Sequence, residues 1–162
     1  MCQRRLSVLC TLDLRAPELG PLGLAGTRLS HPVCEGCHAY GLEIFFETAT
    51  DGTWAWSETS TTDSADAPER DGPFLPRQQL WLGPARGAME GVSWMTADHH
   101  SHVGGLPGWV GDPAYPACPG CKERMLFVAQ VGVEDFPEPG EGVYYAFLCE
   151  RCRVSSATYQ QT

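Results

Sequence analysis

The sequence lacks long apolar runs, and it lacks long stretches without glycine or proline. No window approaches the roughly 18 apolar residues of a membrane-spanning helix. Eighteen glycines and 13 prolines interrupt the 162 residues, so long helices are not expected. The opening "MCQRRLSVLCTLDL" places two arginines before an apolar stretch, but Asp13 and Arg15 close it and no small-residue cleavage site follows. We therefore expect no membrane partner and a cytoplasmic location, where thiols stay reduced.

Positive charge is also scarce. Eleven basic residues stand against 20 acidic ones, which gives a formal charge of −9, and the acids gather in "SETSTTDSADAPERD" and "VEDFPEPGEG". Phosphate recognition needs a lysine and arginine surface, so nucleic acid is not expected as a partner. Because opposite charges steer association, a basic protein suits this surface better. The alternative is that acidity only keeps the protein soluble.

Catalytic motifs are missing too. No serine lies in a nucleophile elbow, and "GGLPG" lacks the Lys-Ser/Thr pair of a phosphate loop. His99, His100 and His102 could bind a catalytic metal beside Asp98, but they lack the helical spacing of zinc proteases and a glutamate base. The sequence therefore predicts a protein that is not an enzyme, and a metal-dependent enzyme using these histidines is the alternative.

Short runs with strand character lie between the breaks, and they predict a mainly β fold, of the α+β type with few short helices. One helical turn is expected around Pro17 to Leu22. In the first run, alternate residues from Leu6 to Leu14 are apolar, which predicts one buried face. The five runs are Leu6 to Leu14, Leu42 to Thr48, Thr53 to Trp56, Met125 to Val133 and Val143 to Leu148.

An internal similarity suggests a degenerate duplication. "HPVCEGCHAYGLEIFF", from His31, aligns without gaps on "YPACPGCKERMLFVAQ", from Tyr115. Further on, Glu58 and Thr61 stand where the second copy has cysteines, and chance resemblance of two turn-then-strand segments is the alternative. We predict an N-terminal β-rich half with a degenerate knuckle (1–95) and a C-terminal half with a zinc ribbon (96–162), which together form one compact unit.

Six of the eight cysteines fall into three Cys-x-x-Cys units, a spacing that favours metal over disulfides in a reducing compartment. The segment between two of these units predicts a strand, a Pro/Gly loop and a returning strand. Such a hairpin would bring four thiolates together, and four thiolates suit a closed, structural zinc site. Iron in a rubredoxin-like site is the rival metal, and a redox pair fits less well because no βαβ unit is present. The predicted ligands are Cys118, Cys121, Cys149 and Cys152.

The third unit, Cys34 and Cys37, has no partner pair. His31 and His38 are the candidate ligands for a second metal, with Cys2, Cys10 and the later histidines as further sources, and a metal-free turn is the alternative. "CEGCH" also matches the haem c attachment pattern, but no export signal accompanies it. Cys2 and Cys10 are interpreted as core residues. Among the five tryptophans, the glycine-flanked Trp109 is the one expected to be exposed.

The segment from His102 to Cys152 resembles the YwqG-like domain, a family of unknown function, and the related programmed cell death protein 2 and ribosome-biogenesis group. The resemblance rests on "HVGGLPGWVGDPAYPACPGCKERMLFVAQV" and "GEGVYYAFLCERC". It implies a β-rich, often duplicated fold and a role in binding, since relatives act as chaperones of a basic ribosomal protein or as toxin-immunity proteins. The residues that it assigns to binding are Gly104, Gly105, Pro107, Trp109 and Gln130.

These observations predict a non-catalytic zinc-ribbon protein that binds another, basic protein in a toxin-immunity or chaperone-like role. A purely structural zinc module within a larger assembly is the further alternative.

Overall fold

The computed structural model describes residues 6–34, 37–38, 41–60, 79–87, 89, 101–136 and 141–161. They form two antiparallel sheets and two 3-10 turns, Pro17–Leu22 and Val133–Asp135, so the predicted mainly β fold and its first helical turn are confirmed. Within these residues, no helix has the length and apolar character to cross a membrane. The strands are β1 (Ser7–Asp13), β2 (Arg28–Val33), β3 (Phe45–Thr48), β4 (Trp54–Trp56), β5 (His102–Val103), β6 (Leu126–Gly132), β7 (Val143–Cys149) and β8 (Val154–Gln160).

The larger sheet has six strands in the order β4-β3-β8-β7-β6-β5. It contains strands from both predicted halves of the chain, because β3 pairs with β8. Strand β7 is buried along its whole length, which explains its nearly continuous apolar sequence "VYYAFLC". Its side chains still alternate between two faces, as a strand requires.

The smaller sheet covers one face of the larger one. Leu12 of β1 and Leu29 of β2 share a core cluster with Ala146 and Leu148 of β7. The other face of β7 presents Phe147 to a second, aromatic cluster that also contains Cys118 and Cys149. The four predicted metal ligands therefore lie at the end of the aromatic face.

Strand β1 differs from its predicted pattern. Its register with β2 shifts between Val8 and Cys10, which is a bulge at Leu9. Leu9 and Leu12 are buried whereas Val8 is 44% exposed. The prediction that alternate residues from Leu6 to Leu14 share one buried face is wrong, because a bulge moves the following side chains to the opposite face.

Candidate metal centre

Two turns at the same end of the sheet carry the four cysteines. Cys118 and Cys121 precede β6, Cys149 is the last residue of β7, and Cys152 lies in the turn to β8. Strands β6 and β7 pair antiparallel, with Leu126 opposite Leu148, so the start of one strand lies beside the end of the other. This hairpin is the local structure that the sequence predicted.

The sulfur atoms form a compact group. All four lie within 4.8 Å of one another. The Sγ atoms of Cys121 and Cys149 are 3.6 Å apart, close to the roughly 3.8 Å edge of a tetrahedron with zinc–sulfur bonds of about 2.3 Å. The four thiols are free rather than joined in disulfides. A cluster of four cysteines that could hold a metal ion is therefore present.

The backbone of the first turn is fixed by hydrogen bonds. The N–H of Lys122 donates to the carbonyl of Cys118 at 2.9 Å, and the N–H of Cys118 donates to the carbonyl of Glu123 at 2.8 Å. A Cβ atom at Gly120 would lie 3.2 Å from the Sγ of Cys152. A side chain at this position would therefore push against the thiol of Cys152.

Each cysteine pair is followed by a residue in the left-handed region. Lys122 has φ 64° and Arg153 has φ 54°, and among the described residues these are the two non-glycine residues with positive φ. A left-handed L residue costs roughly 1–2 kcal/mol. Neither position is a glycine, the residue that usually marks a positive φ in a sequence, so the sequence analysis did not identify these two turns. The two turns share this geometry because each must reverse the chain directly after a ligand.

The thiols have unequal proton affinities. Burial raises the pKa of Cys118, but the backbone N–H groups of Cys121 and Gly120 and the neighbouring thiols outweigh it and lower this pKa to about 7. Burial raises the pKa of Cys149 to about 12. Four thiols at such short separations cannot all ionise together unless a cation replaces their protons. This donor set fits zinc or iron, and four protein ligands would leave no open position for a substrate.

The first Cys-x-x-Cys unit is deeply buried. Cys34 and Cys37 have no exposed surface, and His31 and His38 are 1% and 2% exposed. Among the described residues, the four-cysteine group is the one set of metal-ligand atoms gathered within 4.8 Å. A second metal at these cysteines and histidines stays a prediction.

The predicted histidine cluster is described only at His102, since Asp98, His99 and His100 lie outside the described residues. The Nε2 atom of His102 lies 3.1 Å from the carbonyl oxygen of Leu106, and its ring packs 5.8 Å from that of Phe127. Both contacts tie the loop after β5 to the sheet. These contacts are of the kind that a structural residue makes. The role of His102 as a catalytic metal ligand stays a prediction.

The glycine-rich loop is anchored to the sheet by two side chains. Gln130 Oε1 accepts a hydrogen bond from the N–H of Gly108 at 2.8 Å. The Tyr145 hydroxyl donates to the Gly108 carbonyl at 2.9 Å and accepts from the Val110 N–H at 3.0 Å. Sequence reasoning missed Tyr145, because nothing in "VYYAFLC" distinguishes it from its neighbours. These three hydrogen bonds tie the loop backbone at Gly108 and Val110 to strands β6 and β7.

The residues assigned to binding by resemblance, four in this loop and Gln130 on β6, occupy different environments. Gly104, Pro107 and Gln130 are buried, and Gly105 is exposed. Trp109 is half-buried, 4.5 Å from the Tyr145 ring and 5.2 Å from the Tyr115 ring. The expectation of an exposed Trp109 is therefore wrong, since three aromatic neighbours cover it. Binding by the other four residues stays a prediction.

Among the described tryptophans, the exposed one is instead Trp81, which is 86% exposed between Leu80 and Leu82. The prediction did not single it out. The available signal was the run "LWLG" within a segment rich in proline and glycine, which has too few apolar neighbours to build a strand face.

Comparison with known proteins gives one distant relative. The chain is 33% identical over 132 residues to the uncharacterized protein YpfL of Salmonella typhimurium. The match covers 80% of this chain and 31% of YpfL, so the chain spans about a third of that relative's length. No family model matches the chain, and no solved structure matches it.

Proposed function

We propose that this protein is a non-catalytic module, built around a structural zinc ion, that binds another, basic protein. The single observation that carries the metal part is the group of four thiols within 4.8 Å at the ends of β6 and β7. Cys118, Cys121, Cys149 and Cys152 would hold the ion. Because all four positions of a tetrahedral zinc would be filled by thiolates, the ion would stabilise the fold rather than activate a substrate.

Charge supports a basic partner. The chain carries 20 acidic against 11 basic residues, and carboxylates such as those of Glu18, Glu47 and Glu58 are exposed. Between described residues, a single ion pair is formed, that of Arg15 with Asp13 at 2.7 Å. The exposed carboxylates of Glu18, Glu47 and Glu58 would attract a cationic surface.

An exposed apolar segment supplies an anchor of the kind that interfaces use. Leu80, Trp81 and Leu82 are 63%, 86% and 43% exposed. Tryptophan is enriched among the residues that dominate binding energy, and large exposed apolar side chains in succession mark interaction sites. The proposed partner would cover this segment while its basic groups face the carboxylates.

The metal part is tested by counting zinc in the purified full chain and by melting it before and after dialysis against a strong chelator. We expect bound zinc and a large loss of stability on its removal. An unchanged melting curve and near-ultraviolet spectrum after chelation would contradict a structural metal. Iron in place of zinc would correct the identity of the ion and leave its role intact.

The binding part is tested by capture from the host lysate at low and high salt, using the tagged protein and a Trp81→Ala variant. A basic partner that is released by salt, lost with Trp81→Ala and bound again in purified form would support the proposal. A ribosomal protein would support the chaperone-like role, and a toxin would support the toxin-immunity role. No partner under either condition would leave a purely structural zinc module.

A further inference from the structure

We propose that the first Cys-x-x-Cys unit is a second metal site, in which Cys34, Cys37, His31 and His38 bind a zinc-like divalent cation. The site is independent of the four-cysteine group, and it would contain two thiolates and two imidazoles. This ligand set is a common one for structural zinc.

The two cysteine turns share a backbone feature. In the first, the N–H of His38 donates to the carbonyl of Cys34 at 2.9 Å; in the second, the N–H of Lys122 donates to the carbonyl of Cys118 at 2.9 Å. His38 and Lys122 occupy equivalent positions, immediately after the second cysteine of each pair. The first turn therefore closes in the same way as the turn that presents two thiols to the four-cysteine group, but it carries an imidazole where the other carries an ammonium group.

His38 is oriented as metal-binding histidines usually are. Its Nδ1 atom lies 2.9 Å from the carbonyl oxygen of Cys34 and 3.1 Å from the backbone nitrogen of Cys34, so it can donate to the first or accept from the second, depending on the tautomer. With the proton on Nδ1, the ring donates to this carbonyl and its Nε2 atom carries the lone pair. Nε2 is buried and has no hydrogen-bond partner. A histidine that donates one ring nitrogen to a backbone carbonyl and directs the other into a buried space is the standard arrangement for a metal ligand.

His31 has two ring nitrogens without a hydrogen-bond partner, one more than His38. It is 1% exposed, and neither of its ring nitrogens forms a hydrogen bond. A buried polar group without a partner costs about 1–3 kcal/mol, so such groups are rare in folded proteins and call for an explanation.

The hairpin that follows the first turn explains why histidines are needed. In the second copy, ligands three and four come from the turn after β7. The turn after β4 has serines instead, and Ser60 is occupied, since its hydroxyl accepts from the N–H of Phe45 at 2.9 Å and donates to its carbonyl at 3.0 Å. That turn therefore offers no thiolates, and His31 and His38 are the buried imidazoles on either side of this cysteine pair in the sequence.

Coordination requires side-chain rotation. Within the described part of the chain, the ligand atoms of these four residues are not gathered within 4.8 Å as those of the four-cysteine group are. No hydrogen bond fixes either nitrogen of the His31 ring. His31 lies on β2, and the residue opposite it on β1 is Cys10. The half-buried thiol of Cys10 could bind the same ion in place of one proposed ligand, so the experiment must exclude it.

The test is zinc stoichiometry of the full chain after zinc loading and removal of excess metal. Wild type should hold two ions, and one ion would overturn the proposal. His38→Asn should hold one, because the shorter amide can keep the hydrogen bond to Cys34 while the Nε2 atom is lost. The double variant Cys149→Ser/Cys152→Ser should also hold one ion, the one at the proposed second site. The two sites are thus counted separately, and an empty site can be assigned to one or the other.

Cys10→Ser is the matched control and should still hold two ions. Loss of the second ion in this variant, or its retention in His38→Asn, would overturn the proposed ligand set. Cadmium NMR gives an independent readout, since a site with two sulfurs and a site with four should give two separate resonances. A single resonance from fully loaded protein would also overturn the proposal.

His31→Leu separates a metal ligand from a merely structural residue by the sign of its effect. With zinc present, the variant should lose the second ion and melt at a lower temperature than wild type. In chelator, it should melt at the same or a higher temperature, because two unpaired buried nitrogens are replaced by apolar atoms. Equal or higher melting under both conditions would overturn a ligand role for His31.

Discussion

Two hairpins of the large sheet follow a Cys-x-x-Cys turn, and they are held in different ways. Hairpin β6–β7 lies inside the sheet and ends in the turn that carries Cys149 and Cys152. Hairpin β3–β4 reaches the sheet edge and ends in a turn that carries Ser57 and Ser60. The comparison shows that a hairpin after a Cys-x-x-Cys turn can be held at its end either by a thiol cluster or by hydroxyl hydrogen bonds and aromatic packing.

The edge hairpin depends on its aromatic side chains. The Phe46 ring contacts the rings of Trp54 and Trp56 edge-on, with centroids 5.6 and 5.5 Å apart. Both tryptophans are half-buried. The inner hairpin has a strand on each side, since β8 pairs with β7 and β5 pairs with β6.

The largest expected effect is that of Cys149→Ser in the inner hairpin. Removal of one thiolate should release the metal and cost at least about 5 kcal/mol, since structural zinc supplies about 10–16 kcal/mol of apparent binding free energy in isolated fingers. Metal content and thermal unfolding measure the effect. Cys10→Ser is the control, and comparable melting of the two variants would contradict a metal-held hairpin.

The next effect concerns the edge hairpin, where Phe46→Ala should lower the free energy of unfolding by about 3–5 kcal/mol. Phe46 has no exposed surface and packs between two tryptophans, so its loss leaves a cavity. Denaturant unfolding followed by tryptophan fluorescence gives the value. The Phe46→Ala variant should keep the ion of the four-cysteine site, as wild type does. Loss of that ion would show that the two hairpins are not held independently.

A smaller effect is expected at Tyr145, where the inner hairpin supports the glycine-rich loop. Tyr145→Phe should cost about 1–3 kcal/mol, because the Gly108 carbonyl and the Val110 N–H lose their shared partner. Tyr115→Phe, which keeps the aromatic packing around Trp109, is the matched control. Hydrogen exchange at Val110 should rise in the first variant alone, and equal exchange in both would contradict the anchoring role.

The smallest effect is expected for Ser60→Ala in the edge hairpin, at about 1 kcal/mol. The substitution removes a hydroxyl that bridges the N–H and the carbonyl of Phe45. Thermal unfolding at fixed zinc concentration measures it, and Thr59→Ala in the same turn serves as the comparison. An effect of Ser60→Ala as large as that of Cys149→Ser would abolish the distinction between the hairpins.

The sequence predicted the strands with strong apolar character and missed those whose strand character comes from their neighbours. Strand β8, "VSSATYQ", is polar, yet Ser155 and Ser156 are buried because β3 and β7 pair on either side of it. Strand β2 contains Pro32, which is tolerated because the small sheet has only two strands. Single-chain patterns do not encode which strands become neighbours, so both were overlooked.

The candidate site was more predictable than the fold around it. Cysteine spacing, together with the strand, loop and returning strand expected between the two pairs, identified all four members of the thiol group, because a Cys-x-x-Cys turn and a hairpin are both local features. The exposure of Trp109 and the buried face of β1 were predicted wrongly, because each depends on contacts made across the sheet or on a one-residue bulge.

The pairing of β3 with β8 has a consequence for how the protein folds. Phe45 lies opposite Ser156, so this contact closes a loop of more than a hundred residues, whereas β6, β7 and β8 pair with sequence neighbours. Local contacts form faster because less chain entropy is lost before they form. We expect the three-stranded meander with its thiol turns to serve as the folding nucleus, onto which the earlier part of the chain docks last.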